Sequence, residues 1–222
     1  RPPRQALQPR VLQRRHRRAR RRVGPGHAGE PRLRAHPDVD LQFIGPDHPI
    51  PSADLIILPG SKNTRDDLEF LKQRGWQQVL EKHLRYGGKV IGICGGYQML
   101  GQIVSDPHGV EGKAGDSMAL GLLDITTELT KEKRLQQVHG HCLFGHNQSA
   151  KVAGYEIHMG VTYASSETLP AFMIDEGGTP QEEGTRSPDD QILGTYLHGL
   201  FDHPEACQAL LAWAGLQSDA VV

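Results

Sequence analysis

The sequence predicts an α/β protein: an open, mostly parallel sheet with flanking helices and an antiparallel extension. Three observations carry this reading. Asp54-Leu55-Ile56-Ile57-Leu58, Val90-Ile91-Gly92-Ile93 and Ile192-Leu193-Gly194-Thr195-Tyr196-Leu197 are short, nearly continuous apolar runs, the pattern of strands buried on both faces of a parallel sheet. The first two are each followed by a helical signal. Between 120 and 175 the apolar residues alternate with polar ones in segments that have no helix between them, which predicts antiparallel strands.

A chain of 222 residues can bury one full domain core. No run of eighteen apolar residues exists to cross a membrane, and the N-terminus lacks the apolar segment of a secretory signal. Cys94, Cys142 and Cys207 form an odd set with no disulfide-framework spacing, so a reduced, cytoplasmic setting is expected. Charge is uneven. Residues 1–34 hold twelve of the 25 basic residues but only one of the 26 acidic residues, Glu30. That stretch shows neither helical nor strand periodicity and reads as a disordered or frameshifted leader, with the folded domain over 35–222. A nucleic-acid arm is the sharper alternative, but no aromatic residue accompanies these arginines.

Taken in order, Val39–Ile44 is a strand closed by Gly45-Pro46, and Asp54–Leu58 is a second, ending in the loop Pro59-Gly60-Ser61-Lys62-Asn63. Thr64 with Asp67 resembles a capping box. Leu68, Leu71, Val79, Leu80 and Leu84 predict one helix over 65–86, stopped by Gly87-Gly88. Strand 90–93 then meets Cys94 and a further helix. Leu120–Leu129, Gln136–Phe144, Val152–Val161 and Ala171–Asp175 read as strands, and Gly177–Asp190 as an acidic Gly/Pro loop. Ile192–Leu197 is a buried strand ending at His198-Gly199. Pro204 opens a last helix with Ala206, Leu210, Leu211 and Trp213 inward, and Gly215 closes it.

Gly92-Ile93-Cys94-Gly95-Gly96 is Gly-x-Cys-x-Gly, a cysteine on the sharp strand–turn–helix bend of a nucleophile elbow. Small neighbours let the chain pass, and the helix start favours thiolate. His198, directly after a buried strand, is the natural base for it. The Gly60-Ser61 loop could bring a backbone N–H to face that of Gly95 and form an oxyanion hole. His139, His141, Cys142 and His146 invite a zinc reading, but no second ligand pair stands at the right spacing, so no metal site is expected. Cys142 and Cys207 lack the elbow setting. Glu156 and His158 share one strand face, either as a ligand-facing pair or as a solvated edge.

Five stretches carry a resemblance: Leu58–Thr64 (Leu-Pro-Gly-Ser-Lys-Asn-Thr), Gly92–Gly101 (Gly-Ile-Cys-Gly-Gly-Tyr-Gln-Met-Leu-Gly), Asp106–Gly112 (Asp-Pro-His-Gly-Val-Glu-Gly), Gly154–Gly160 (Gly-Tyr-Glu-Ile-His-Met-Gly) and Gly194–Phe201 (Gly-Thr-Tyr-Leu-His-Gly-Leu-Phe). Across roughly 35–215 the chain resembles the class I, or triad, glutamine amidotransferases, and within them the C-terminal glutaminase domains of cobyric acid synthases in cobalamin biosynthesis. The Asp106–Gly112 loop points to that branch over cobyrinate a,c-diamide synthase and the lipid II isoglutaminyl synthase glutaminase. The resemblance implies a flavodoxin-like sheet and a glutaminase in which Cys94 attacks the carboxamide of glutamine and His198 protonates the departing ammonia. Backbone N–H groups of Gly95 and Gly60-Ser61 would hold the oxyanion, and Gln98, Tyr155 and Glu156 would help seat glutamine. It implies no cofactor for this half; ATP and Mg²⁺ belong to an amidoligase domain, not recognisable in this sequence, that amidates corrin carboxylates. Two features depart from the family. Leu200 stands where many triad enzymes carry a glutamate two residues after the histidine, leaving Asp202 or Glu156 as substitute orienters. Residues 1–32 do not resemble the strand that normally opens the domain, a loss that implies exposed sheet edges and weak activity. A catalytically silent interaction module is the alternative from another class.

Overall fold

The structure, a computed structural model, describes residues 7–14, 31–145 and 148–216. In chain order its elements are β1 Arg10–Arg14, α1 Pro31–Ala35, β2 Val39–Phe43, β3 Leu55–Leu58, α2 Thr64–Gln73, α3 Trp76–Arg85, β4 Lys89–Ile93 and α4 Gly95–Leu100. There follow β5 Ile103–Asp106, β6 Gly115–Met118, β7 Ile125–Cys142, β8 Lys151–Ala164, β9 Leu169–Glu176, β10 Thr179–Arg186, β11 Ile192–Thr195, β12 Leu197–His198 and α5 Pro204–Trp213. All four side chains of β3 are buried. Leu55 and Ile57 enter one core, Ile56 and Leu58 the other. A strand covered on both faces needs apolar residues at every position, and each such side chain contributes about 1.5–3 kcal/mol on burial. β3, β4 and β11 run parallel as neighbours, the expected parallel core of a mixed α/β sheet. Beyond β11 the sheet continues antiparallel through β10, β9, β7, β8 and β12.

Several expectations change. The helix expected over 65–86 is two helices, because Gly75 sits in the left-handed region at φ 68 and turns the chain between α2 and α3. The cap of α2 is Asn63, whose side chain accepts the Asp66 N–H, and not Thr64. Asp67 instead accepts the Ser61 hydroxyl at 2.6 Å. Strands expected at 120–129 and 136–144 are one long strand, β7, with its register against β8 shifting between Glu128 and Lys133. The acidic segment after Gly177-Gly178 is not a loop but β10, hairpinned onto β9. The strand expected to run from Ile192 to Leu197 breaks at Tyr196. His198 therefore lies on β12, which leaves the parallel core and pairs with β8.

Part of the segment read as a leader is also ordered. Arg10–Arg14 forms β1, antiparallel to both β2 and β3 and lying between them. The strand was illegible because Val11 and Leu12 face opposite cores, so it shows no alternation. Residues 1–6 and 15–30 of that segment lie outside the described residues. No helix among the described residues is long and apolar enough to cross a membrane.

Candidate active site

The elbow is built from glycine and strain. Cys94 joins β4 to α4 at φ 53, ψ −113, a backbone region that non-glycine residues adopt only when their surroundings hold them there. Two contacts do so: the Cys94 N–H donates to the Thr195 carbonyl at 2.8 Å, and the Gln98 N–H donates to the Cys94 carbonyl at 3.1 Å. A Cβ on Gly96 would stand 2.1 Å from the Leu58 carbonyl oxygen, so only glycine lets the first turn of α4 pass the end of β3.

His198 and Cys94 meet at a backbone group. Cys94 Sγ donates to the Ile157 carbonyl at 3.4 Å, and His198 Nε2 lies 3.3 Å from the same oxygen. A carbonyl only accepts, so Nε2 carries the proton and Nδ1 is the basic nitrogen of the neutral ring. Neither side chain hydrogen-bonds the other in this arrangement. Burial lowers the His198 pKa, and His158 lowers it further against the opposing pull of the Ile157 carbonyl. The ring is thus neutral at pH 7, as a base must be. The thiol departs from expectation: burial pushes the Cys94 pKa up, outweighing the Gly95 N–H that favours thiolate, and Glu111 adds to the rise.

Of the substitute orienters expected for His198, Glu156 has other partners. It forms an ion pair with Arg134 at 2.8 Å and accepts from His158 at 3.0 Å. Asp202 donates its N–H to the Gly199 carbonyl, and its carboxylate lies beside Gly199. The group that fixes the ring is the Ile157 carbonyl, for which side-chain sequence carries no signal.

Gly60 borders both Cys94 and His198: a Cβ there would lie 3.6 Å from Cys94 Cβ and from His198 Cε1. Gly95 packs on the next residue, its absent Cβ leaving 2.9 Å to the Ser61 nitrogen. The expected neighbours of the oxyanion thus lie together. The Asp106–Gly112 loop braces them. Buried Asp106 accepts the Val110 and Glu111 N–H groups at 2.7 and 2.9 Å, and Glu111 accepts the Arg65 N–H at 3.0 Å on the first turn of α2. Burial alone would raise the Asp106 pKa, but those two N–H groups and the Arg65 guanidinium hold it below the usual carboxylate range.

Of the residues expected to seat glutamine, Gln98 is committed elsewhere. It is buried, accepts from Thr64 Oγ1 at 2.9 Å, and donates to the Met159 carbonyl at 3.1 Å and Tyr196 at 3.2 Å. Its amide ties α4 to β8. Tyr155 pairs with His198 across β8 and β12 and is exposed, whereas Glu156 points to the opposite face. There Glu156, His158 and Arg134 line a cleft of about 680 Å³, with His158 stacked on Tyr196 at 3.7 Å. Glu183, also lining it, is a site residue that the sequence reading missed. Burial pushes its pKa up to about 7, although the Thr195 hydroxyl and Tyr196 N–H favour its charged form.

Among the described residues no three His, Cys, Asp or Glu side chains gather as metal ligands. Of the histidine group considered for zinc, His146 lies outside the described residues, and Cys142 is sealed in the core with its pKa raised by burial to about 12.

The mixed α/β sheet with its parallel core is the fold of solved glutamine amidotransferase structures. The fold is similar to a crystal structure described as a glutamine amidotransferase (16% identity over 74% of this chain and 80% of that one, TM-score 0.52). It is also similar to PurLQS from Thermotoga maritima (16% identity over 75% and 82%, TM-score 0.55). More particularly, the chain belongs to the family of CobB/CobQ-like glutamine amidotransferase domains, whose model matches residues 31–206.

Proposed function

We propose that this chain is the glutaminase domain of a cobyric acid synthase, with Cys94 as nucleophile and His198 as its base. The observation that carries the reading is the convergence of a strained Cys94 and a neutral His198 on one carbonyl, beside the Gly60-Ser61 loop. The neutral His198 ring takes the thiol proton as Sγ bonds to the carboxamide carbon of glutamine. The C–N bond then breaks, His198 returns the proton to the leaving nitrogen, and ammonia departs. Water, deprotonated by the same imidazole, hydrolyses the thioester to glutamate and free thiol. Ammonia passes to a synthetase partner that uses ATP and Mg²⁺ to amidate corrin carboxylates; exposed Leu135 and Tyr155, on the strands beside the site, offer it apolar contact. The motif Asp106–Gly112 favours the cobyric acid branch over the cobyrinate a,c-diamide and lipid II relatives.

A second reading, a silent interaction module, is favoured by one observation: the thiol proton rests on Ile157 and not on His198. Glutamine hydrolysis by the purified chain, with and without an amidoligase partner, separates the two. Cys94→Ala is expected to abolish hydrolysis, and His198→Ala to reduce kcat by on the order of 10³-fold. Turnover by Cys94→Ala equal to that of the parent chain would refute the nucleophile.

A further inference from the structure

Glu183 is a costly residue. It is 6% exposed, on β10, and among the described residues no cation pairs with it directly. A buried carboxyl held by neutral donors alone is worse for stability than a well-packed apolar side chain. What it holds is specific. One oxygen accepts the Thr195 hydroxyl at 2.6 Å and the other accepts the Tyr196 N–H at 2.7 Å. The same Thr195 hydroxyl oxygen accepts the Leu197 N–H at 3.0 Å, and the Thr195 carbonyl accepts the Cys94 N–H at 2.8 Å. Gly184, at φ 67, brings β10 against this bend, since a Cβ there would lie 2.4 Å from the Gly194 carbonyl oxygen.

We propose that Glu183 is a positioning residue for the reacting pair, fixing through Thr195 and Tyr196 the backbone that accepts the Cys94 N–H and leads into His198. The inference rests on the reading of that pair given above. A single residue, Tyr196, separates β11, which supports the elbow, from β12, which bears the imidazole, and one carboxyl group is hydrogen-bonded to that residue and to the last residue of β11. Without it, the Thr195 hydroxyl, which itself holds the Leu197 N–H across the break, and the Tyr196 N–H lose their acceptor. Displacement of a reacting group by about 1 Å costs on the order of 10²-fold in rate.

The test compares Glu183→Ala, Glu183→Gln and Thr195→Val in the full chain, each with its folded fraction measured by near-UV circular dichroism. Glutamine can accept the Tyr196 N–H with its oxygen and donate its amide to Thr195 Oγ1, so it keeps the path of the bend. Glu183→Ala is expected to lose about 10²-fold in kcat per folded molecule with KM changed far less, and Glu183→Gln to recover most of that loss. Chloroacetamide labelling of Cys94, read by mass spectrometry, supplies a readout independent of turnover. It is expected to be faster in Glu183→Ala than in the parent chain and restored in Glu183→Gln, with buried Cys142 and Cys207 as internal controls. Unchanged kcat in folded Glu183→Ala, or Glu183→Gln no better than Ala, overturns the proposal. If the parent chain hydrolyses no glutamine, the functional reading fails separately and the labelling rates decide this one: the expected pattern supports it, and equal rates in all three chains overturn it. If Glu183→Ala does not fold, Thr195→Val, which removes the bridging hydroxyl, carries the same expected losses and the same refutation.

Discussion

Glu183 shows at the scale of one residue how a site can spend stability on position. Its folded pKa of about 7 lies above the ordinary 4.5, chiefly because burial disfavours the charge; Glu156 nearby adds to the rise, and Arg134 opposes it. The folded state therefore holds the proton more tightly than the unfolded chain. The resulting stabilisation is complete below about pH 4.5 and is lost as pH rises toward about 7. Glu183→Gln cannot titrate, so the stability difference between it and the parent chain should move in favour of the variant by at most about 3 kcal/mol across that window. Urea denaturation at pH 4.5 and pH 8 measures it, and a difference independent of pH would contradict the assignment. Glu183 was illegible because an acidic Gly/Pro-flanked segment reads as solvated loop, and only pairing with β9 and β11 turns the carboxylate inward. Cys94 and His198 could be named as candidates because a cysteine between small residues and a histidine after an apolar run are side-chain signals. The Ile157 carbonyl could not, since every residue has one.

At the scale of elements, the elbow shows which constraints a sequence exposes. Gly96 is fixed by contact: a methyl group there would meet the Leu58 carbonyl carbon and oxygen at 2.7 and 2.1 Å, and the Pro59 oxygen at 2.8 Å. All three are backbone atoms, which cannot rotate aside as a flexible side chain could. Gly96→Ala is therefore expected to force α4 away from β3, costing about 1–3 kcal/mol as overpacking does. It should also remove glutamine turnover, since the same shift displaces Cys94 from the Gly60-Ser61 loop. Thermal unfolding and the hydrolysis assay read the two effects; activity retained at full stability would show that α4 can adapt. The elbow was legible as a motif. The split between α2 and α3 was not, because one glycine within a helical apolar stripe is weaker evidence than the stripe itself, and only its φ of 68 decides. Likewise β7 reads as two strands because its solvent-exposed middle, Lys131 to Leu135, carries no inward apolar residue to mark it.

At the scale of the whole molecule, the parallel core was legible and the far edge of the sheet was not. Strands buried on both faces announce themselves by continuous apolar runs, as β3, β4 and β11 do, but β1 offers only Val11 and Leu12 between arginines. Those two suffice in the structure because each enters a different core. Leu12 is fully buried and packs in the same core as Leu33, Val39, Leu55 and Ile57, so β1 joins β2 and the α1 region to the central strands. Arg10 of β1 and Arg34 of α1 are accommodated by stacking: their guanidiniums lie 5.2 and 4.5 Å from the centre of the Phe43 ring. Two accounts of residues 7–14 therefore make opposite demands on one substitution. If β1 completes the sheet, Leu12→Ala leaves a cavity between β2 and β3 and should lower unfolding free energy by about 2–5 kcal/mol, with the urea midpoint falling at unchanged m-value. If the segment is a leader that contributes nothing to the fold, removing a leucine side chain from it leaves the midpoint where it was. Because Leu12 lies on β1, with β3 between it and the elbow strand β4, turnover per folded molecule should be preserved in either case, which separates loss of fold from loss of chemistry.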